Sequence, residues 1–336
     1  MRNFVAKNDF NRASTHKSAR DYTRLSSHEV MDTCYEELEG SWNEWPDFSM
    51  EENWDVSEDM TKPPPEVASK CGSTSRSNFN NKGNNMQNLQ DRWISVCDIE
   101  SLGTPGDCGT THIAMPSFAF VLMKDLSLDP YIVLGTPNIA QQLALGAKVS
   151  AGTIAFWMNE ARAGSAPSLS IIEALNAKDG ESTVLVCNPT HESPVSKHTF
   201  MDLICPFVEA KQVIEGIIDE QGIDTRSLRH YGNGPQFDMS IYETVAAQAN
   251  VFSPSDPAIV PWKFWDISSA RNPRDYFEAL GGDWKALVRC AEIYAHDVIE
   301  RYNLIPEGVY PSKHDPVFDA LVEAYCIKTI ESKLKI

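Results

Sequence analysis

The chain has 336 residues and a formal net charge of −18, which excludes a protein that coats nucleic acid with a broad basic surface. No run of apolar residues approaches the roughly 18 that a membrane-spanning helix needs, and the N-terminus lacks the apolar core of a secretory signal. The eight cysteines form no Cys-x-x-Cys pair, so we expect reduced thiols, no membrane contact and a cytoplasmic location.

Residues 1–90 are predicted to be a disordered, polar and acidic N-terminal extension. Asn, Ser, Lys and Asp dominate, and apolar residues occur singly, so the segment cannot bury enough surface to offset the entropy of ordering it. Between positions 29 and 59, Glu and Asp are interleaved with four aromatic residues: Tyr35, Trp42, Trp45 and Trp54. This composition favours a solvated tail, and a short docking segment for a protein partner is the alternative.

The remaining residues, 91–336, are predicted to form one α/β domain with a mixed sheet. Short apolar runs predict strands at 93–97, 113–123, 131–134 and 228–231. Apolar residues at helical spacing predict helices at 153–159, 169–176, 200–220, 238–249, 284–302 and 316–334.

Two acids, Asp98 and Glu100, follow the apolar run of the first predicted strand. Side chains two residues apart point to the same side of a strand, so both carboxylates aim at one point while Ile99 turns into the core. Two like charges held so close are costly unless a cation lies between them. The pattern therefore predicts a hard divalent cation, Mg²⁺ or Mn²⁺, at this position.

Two further stretches place acids at the start of predicted helices. Asp238 follows the loop Gly-Asn-Gly-Pro-Gln-Phe and begins a helix, where the helix dipole favours a carboxylate. In His-Asp-Pro-Val-Phe-Asp, Asp315 is a good N-cap and Pro316 a good first helical residue. This spacing puts His314 on the loop before the last helix and Asp319 about one turn inside it. Imidazole has a pKa close to neutrality, which suits His314 to take a proton from water.

These motifs resemble those of the DnaQ-like (DEDDh) 3′–5′ exonuclease superfamily, in which Asp-x-Glu ends a first strand, a second Asp stands mid-chain and His-x₄-Asp lies at the last helix. The sequence motifs are most similar to those of a smaller branch that contains the phage DexA-like exonucleases and a mycobacterial exoribonuclease group. The stretches that carry this likeness are Asp98-Ile-Glu-Ser-Leu-Gly-Thr-Pro, Thr153-Ile-Ala-Phe-Trp, Gly232-Asn-Gly-Pro-Gln-Phe-Asp238 and Pro261-Trp-Lys-Phe-Trp265. The resemblance implies a ribonuclease H-like α/β fold with a central mixed five-stranded sheet flanked by helices.

The same resemblance implies a metal-dependent 3′–5′ exonuclease that acts on the 3′ ends of single-stranded RNA or DNA and releases nucleoside 5′-monophosphates. Two divalent cations, Mg²⁺ or Mn²⁺, would be bound by Asp98, Glu100, Asp238 and Asp319. The general base would be His314. Contacts to the substrate are implied for Ser101, Leu102, Gly103, Phe237 and Arg271. Related enzymes are often homodimers, and a phage-encoded member would act in the host cytoplasm.

Three departures from the family pattern leave some roles open. Arg271 lies in Asp-Ile-Ser-Ser-Ala-Arg rather than in the family's Asp-Val-Arg-Thr-like run, and Pro316 replaces a small residue after the histidine. Residues 183–197 have no clear counterpart, and we interpret them as an insertion. Two other functions also stay open. An inactive nucleic-acid- or protein-binding module would typically have lost a carboxylate, and the His-x₄-Asp spacing disfavours a ribonuclease H-like endonuclease.

Overall fold

The computed structural model of the chain describes residues 92–176, 180–250, 259–305 and 311–334. The predicted N-terminal extension, residues 1–90, lies outside the described residues. Within the described ranges, no helix is long and apolar enough to cross a membrane.

Seven strands form one mixed sheet across the described residues: β1 (Ile94–Glu100), β2 (Ser117–Met123), β3 (Tyr131–Thr136), β4 (Ser182–Cys187), β5 (Val195–Phe200), β6 (Arg229–Gly232) and β7 (Ile267–Ser269). Their order across the sheet is β5-β4-β3-β2-β1-β6-β7. The inner strand β1 pairs antiparallel with β2 and parallel with β6. Because such a strand is buried on both faces, its first residues are almost continuously apolar.

The described residues also include nine α-helices: α1 (Pro105–Cys108), α2 (Ile139–Ala144), α3 (Ala151–Arg162), α4 (Ala166–Asn176), α5 (Cys205–Glu220), α6 (Asp238–Ala249), α7 (Arg271–Ala279), α8 (Trp284–Tyr302) and α9 (Pro316–Leu334). Helices α5 and α6 cover one face of the sheet, and α8 and α9 cover the other. A smaller apolar cluster joins α2, α3 and α4 to Leu102, just beyond β1.

The alternation of side chains along β1 divides it between the two faces. Cys97 and Ile99 belong to the core under α5 and α6, whereas Ile94 and Val96 belong to the core under α8 and α9. Asp98 continues the second series, so its carboxylate lies on the side of the sheet that α9 covers.

The α/β class and most of the predicted elements are confirmed. The helices predicted at 238–249, 284–302 and 316–334 have the predicted bounds, because each has a clear start signal and a sustained apolar spacing. The prediction of five strands is wrong, since the described sheet has seven. Three strands have no counterpart among the predicted ones. They are the short strand β7 and the β4–β5 hairpin at one edge, which includes the segment 183–197.

A glycine in β3 makes room for the largest aromatic contact in the core. Gly135 is paired with Phe118 of β2, and a Cβ atom at position 135 would lie 2.1 Å from the ring of Phe118. That ring is fully buried and has its centroid 5.0 Å from Tyr242 and 5.7 Å from Phe207, so it has no free space into which to move.

We therefore expect Gly135→Ala to lower the free energy of unfolding by roughly 1–3 kcal/mol, the usual cost of overpacking a core. Urea denaturation followed by circular dichroism measures this change. The matched control is Gly216→Ala in α5, where an added Cβ meets nothing within 4 Å, and where alanine should stabilise the helix by roughly 0.5–1 kcal/mol. Equal stability of the two variants would contradict the steric argument.

Candidate metal centre

Three segments that are distant along the chain meet at one edge of the sheet. Strands β1 and β6 run parallel, so the end of β1 and the loop from β6 to α6 lie at the same edge. The loop that leads into α9 reaches this edge as well, because His314 and Asp319 lie next to Glu100. The result is a cluster of carboxylates with one imidazole.

The first two acids lie in the last three residues of β1, which extends to Glu100 and therefore includes them in the strand. Ile99 between them is only 4 % exposed and packs into the core under α5 and α6, as the spacing predicted. Glu100 is 7 % exposed, and Asp98 is partly buried. The two carboxylates therefore point together away from Ile99 and towards α9.

Asp238 reaches the same edge from the start of α6. Its Oδ2 atom accepts a hydrogen bond of 3.0 Å from the backbone N–H of Gly234, which fixes the carboxylate above the loop. A Cβ atom at position 232 would lie 3.2 Å from this Oδ2, so the glycine gives the carboxylate room. The Gly-Asn-Gly-Pro turn thus lets the carboxylate lie directly against the end of β6.

The start of α9 positions the last two predicted residues. Asp315 accepts a hydrogen bond of 3.1 Å from the backbone N–H of Val317, and the helix begins at Pro316, as predicted. His314 has a φ of 70°, an uncommon conformation for a residue other than glycine. Its backbone N–H donates a hydrogen bond of 2.9 Å to Asp319 Oδ2, which stabilises this conformation and joins the histidine to the acid.

Two aromatic residues of α3 pack against the imidazole. The ring of Phe156 lies edge-on to that of His314 with centroids 5.2 Å apart, and the ring of Trp157 does so at 5.6 Å. Trp157 is 2 % exposed, and its indole N–H donates a hydrogen bond of 3.0 Å to the carbonyl oxygen of Ser101. Trp157 therefore contacts both the loop after β1 and the histidine.

Three of the predicted residues can reach one common metal ion. One oxygen each of Glu100 and Asp319 and one ring nitrogen of His314 all lie within 4.8 Å of one another. The Nδ1 atom of His314 is 3.9 Å from Glu100 Oε1. The charges of Asp238 and Asp319 also act on Asp98, so these two further acids lie near the same place. The structure thus joins three of the five residues predicted to be catalytic in one ligand group, with Asp98 and Asp238 nearby, and the catalytic roles of all five stay predictions.

The electrostatics of this cluster favour a bound cation. Burial, followed by repulsion from neighbouring carboxylates, raises the pKa of Asp98 and of Glu100 well above the ordinary value. Burial also raises the pKa of Asp238 to about 6 and that of Asp319 to about 7. A divalent ion between the carboxylates would remove both the repulsion and the loss of solvation. The oxygen donors fit a hard cation such as Mg²⁺ or Mn²⁺.

A further carboxylate near this cluster, Glu323, does not belong to the predicted set. Glu323 lies four residues after Asp319 on α9, and its Oε2 atom is buried and accepts no hydrogen bond. Its charge acts on Asp98, and the charges of Asp238 and Asp319 act on it. An acid four residues from Asp319 shares its side of the helix, but this spacing alone does not show that the side chain is buried.

The five residues predicted to contact substrate lie around the cluster but differ in exposure. Leu102 is fully buried in the apolar cluster that joins α2, α3 and α4. The hydroxyl of Ser101 donates a hydrogen bond of 2.7 Å to the carbonyl oxygen of Gly103. Phe237 is partly buried, and Arg271 is exposed. The guanidinium of Arg271 donates a hydrogen bond of 3.2 Å to the side chain of Asn233. Their contacts with substrate stay predictions.

A cavity of about 410 Å³ opens beside the histidine. His314 and Asp315 form one wall, and most of the remaining lining is apolar, with Leu134, Ile139, Ile171 and Leu304 among its residues. The volume falls within the roughly 300–1,000 Å³ of ordinary small-molecule sites. A ligand in this cavity would contact His314 and Asp315, but the four predicted metal-binding carboxylates are not among the lining residues.

No known protein family, curated protein or solved structure matches this chain. The likeness of its motifs to the DnaQ-like exonucleases therefore stays a prediction. The structure shows how Glu100, His314 and Asp319 are arranged.

The raised pKa values predict how stability depends on pH when no cation is bound. Asp319 has a pKa of about 7 in the folded chain and 3.8 as its ordinary value, so the folded chain binds more protons between these limits. The free energy of unfolding should then fall as the pH rises from about 4 to about 7. We expect Asp319→Asn to reduce this fall, measured as the melting temperature against pH in EDTA.

The matched control is Asp202→Asn, which removes an exposed carboxylate on the turn before α5. This variant should keep the pH dependence of the wild-type chain. An identical pH profile for Asp319→Asn and Asp202→Asn would contradict the assignment of the raised pKa to the cluster.

Proposed function

We propose that the chain is a metal-dependent 3′–5′ exonuclease of ribonuclease H-like fold that hydrolyses the terminal phosphodiester bond of single-stranded RNA or DNA. The observation that carries the proposal is the convergence of five polar side chains from three distant segments: Asp98, Glu100, Asp238, His314 and Asp319. Burying four carboxylates together is costly for a fold, so their convergence is better explained by a cation-dependent function than by stability.

The architecture of the sheet supports the fold assignment. The β4–β5 hairpin lies at one edge, and the strands that remain without it are β3, β2, β1, β6 and β7. These five form a mixed sheet with helices on both faces, which agrees with the ribonuclease H-like fold that the motifs imply. The hairpin then extends the common sheet and leaves the inner strand β1, at whose C-terminal end the first two acids lie, unchanged.

The carboxylates have complementary positions for holding a pair of divalent cations. Bound there, the cations would activate a water molecule near neutral pH and neutralise charge on the leaving oxygen. The charges of Asp319, Asp238 and Glu100 all act on the carboxylate of Asp98. Asp98, Glu100, Asp238 and Asp319 would therefore hold the cations between them.

His314 has the properties of a general base. Burial lowers its pKa, so the imidazole is neutral at pH 7 and able to accept a proton. Its side chain is 41 % exposed, which leaves it open to water, and Glu100 lies close enough to stabilise the imidazolium that would form. The contacts with Phe156 and Trp157 fix the orientation of the ring.

A preference for chain ends agrees with the charge of the molecule. With a formal net charge of −18, the chain is poorly suited to hold many phosphates along a strand. An enzyme that binds one terminal nucleotide through cations needs few such contacts.

The direct test is to incubate the purified chain with 5′-labelled RNA and DNA oligomers in Mn²⁺, Mg²⁺ or EDTA. We expect stepwise shortening from the 3′ end that EDTA abolishes. Asp98→Asn should reduce the rate by more than the roughly 10–100-fold that loss of an outer-shell partner costs. Asp202→Asn is the matched control and should keep the wild-type rate.

Activity that survives both EDTA and Asp98→Asn would refute the proposal. Binding of the oligomers without cleavage would favour the inactive binding module instead. Cleavage of closed circular DNA would favour an endonuclease.

A second variant separates the two roles that the geometry allows for the histidine. A general base typically contributes roughly 10²–10⁴-fold to the rate, so His314→Asn should slow cleavage by this amount. Its affinity for Mn²⁺, measured by isothermal titration calorimetry without nucleic acid, should stay within about twofold of the wild-type value. A parallel loss of affinity and rate would show instead that His314 is a metal ligand, as its position beside Glu100 and Asp319 also permits.

A further inference from the structure

Glu323 occupies an unusual position for a carboxylate. It lies in the middle of α9, where most of the neighbouring residues, such as Leu321, Ala324 and Tyr325, are no more than 1 % exposed. Its Oε2 atom is buried and has no hydrogen-bond partner. The residue as a whole is partly exposed, so Oε2 is the oxygen that is buried. Burying a carboxylate oxygen without a partner is costly, so a purely structural role would favour an apolar residue here.

The direction of the side chain brings it to the carboxylate cluster. Long side chains on a helix lean towards its N-terminus, so Glu323 reaches back over the turn that holds Asp319. Helix α9 packs on the face of β1 that carries Asp98. The charges of Asp238 and Asp319 both act on Glu323, and Arg271 offsets part of their repulsion.

We propose that Glu323 is a fifth carboxylate ligand of the centre, next to Asp319 on the side of α9 that faces β1. This inference rests on the pair of cations in the proposed function and adds a residue that the sequence motifs do not contain. A cation would give Oε2 the partner that it lacks among the described residues. The ligand atoms of Glu100, His314 and Asp319 form a separate group within 4.8 Å of one another.

The formal charges agree with this assignment. Five carboxylates, two divalent cations and the guanidinium of Arg271 together carry no net charge. Asp315 stands apart from this balance, since its carboxylate caps α9 and accepts a backbone N–H of that helix. Without Glu323, the same set would carry one surplus positive charge.

The test is a Mn²⁺ titration of the full chain in the absence of nucleic acid, followed by electron paramagnetic resonance and calorimetry. We expect the wild-type chain to bind two Mn²⁺ ions. Glu323→Gln should keep one site within about twofold of its wild-type affinity and weaken the other by about tenfold or more. The matched control is Glu243→Gln, which removes an exposed carboxylate from α6 and should keep both affinities.

Thermal melting separates a metal ligand from a residue needed for folding. In EDTA, Glu323→Gln should melt at the wild-type temperature or above it, because the amide has a similar shape to the carboxylate but carries no charge. The rise in melting temperature on addition of Mn²⁺ should be smaller for the variant than for the wild-type chain. A variant that is destabilised in EDTA but keeps both Mn²⁺ affinities would show that Glu323 only pairs with Arg271, and would overturn the inference.

A wild-type chain that binds a single Mn²⁺ would overturn it as well. Failure of the proposed exonuclease function has a different signature. A chain that binds two Mn²⁺ ions through Glu323 but cleaves no oligomer would leave the metal site intact and remove only the nuclease assignment.

Discussion

The mutual repulsion of carboxylates is the constraint on which this structure depends. Asp98, Glu100, Asp238 and Asp319 come from three segments, and the fold places them at one edge of the sheet, where burial raises the pKa of each. Hydrophobic packing cannot remove this cost, and the guanidinium of Arg271, which lies near the acids, is exposed. The two cores on either side of the sheet therefore have to stabilise the chain enough to hold the acids in place until a cation binds.

The scaffold around the acids is correspondingly rigid. Backbone N–H groups donate to the carboxylates of Asp238 and Asp319, so neither side chain rotates freely. Trp157 joins the loop after β1 to the imidazole of His314 through one hydrogen bond and one ring contact. The apolar cluster that joins Leu102 to α2, α3 and α4 is thus part of the candidate metal centre, although it contributes no carboxylate to the predicted ligand set.

Local rules oriented the side chains at the end of β1 and at the start of α9, but they did not predict the whole sheet. Asp98 and Glu100 are separated by the strand period, and Asp315 with Pro316 marks a helix start, so local rules were enough to orient these side chains. The β4–β5 hairpin was missed because β5 is polar and mostly exposed, and it lacks the apolar alternation that marks a strand. Glu323 was missed because its burial depends on how α9 packs against β1, and no local pattern reveals that packing.

The cap at the start of α9 makes chain length itself a determinant of the centre. Asp315 and Pro316 fix where the helix begins, and every later residue is turned by roughly 100° about the axis from the one before it. One residue inserted between the cap and Asp319 would swing that acid, and Glu323 with it, about a quarter of a revolution away from β1. The number of residues between His314 and Asp319 therefore sets the direction of Asp319 about the helix axis. Deletions or insertions in this turn would be tolerated far less than substitutions of the side chains within it.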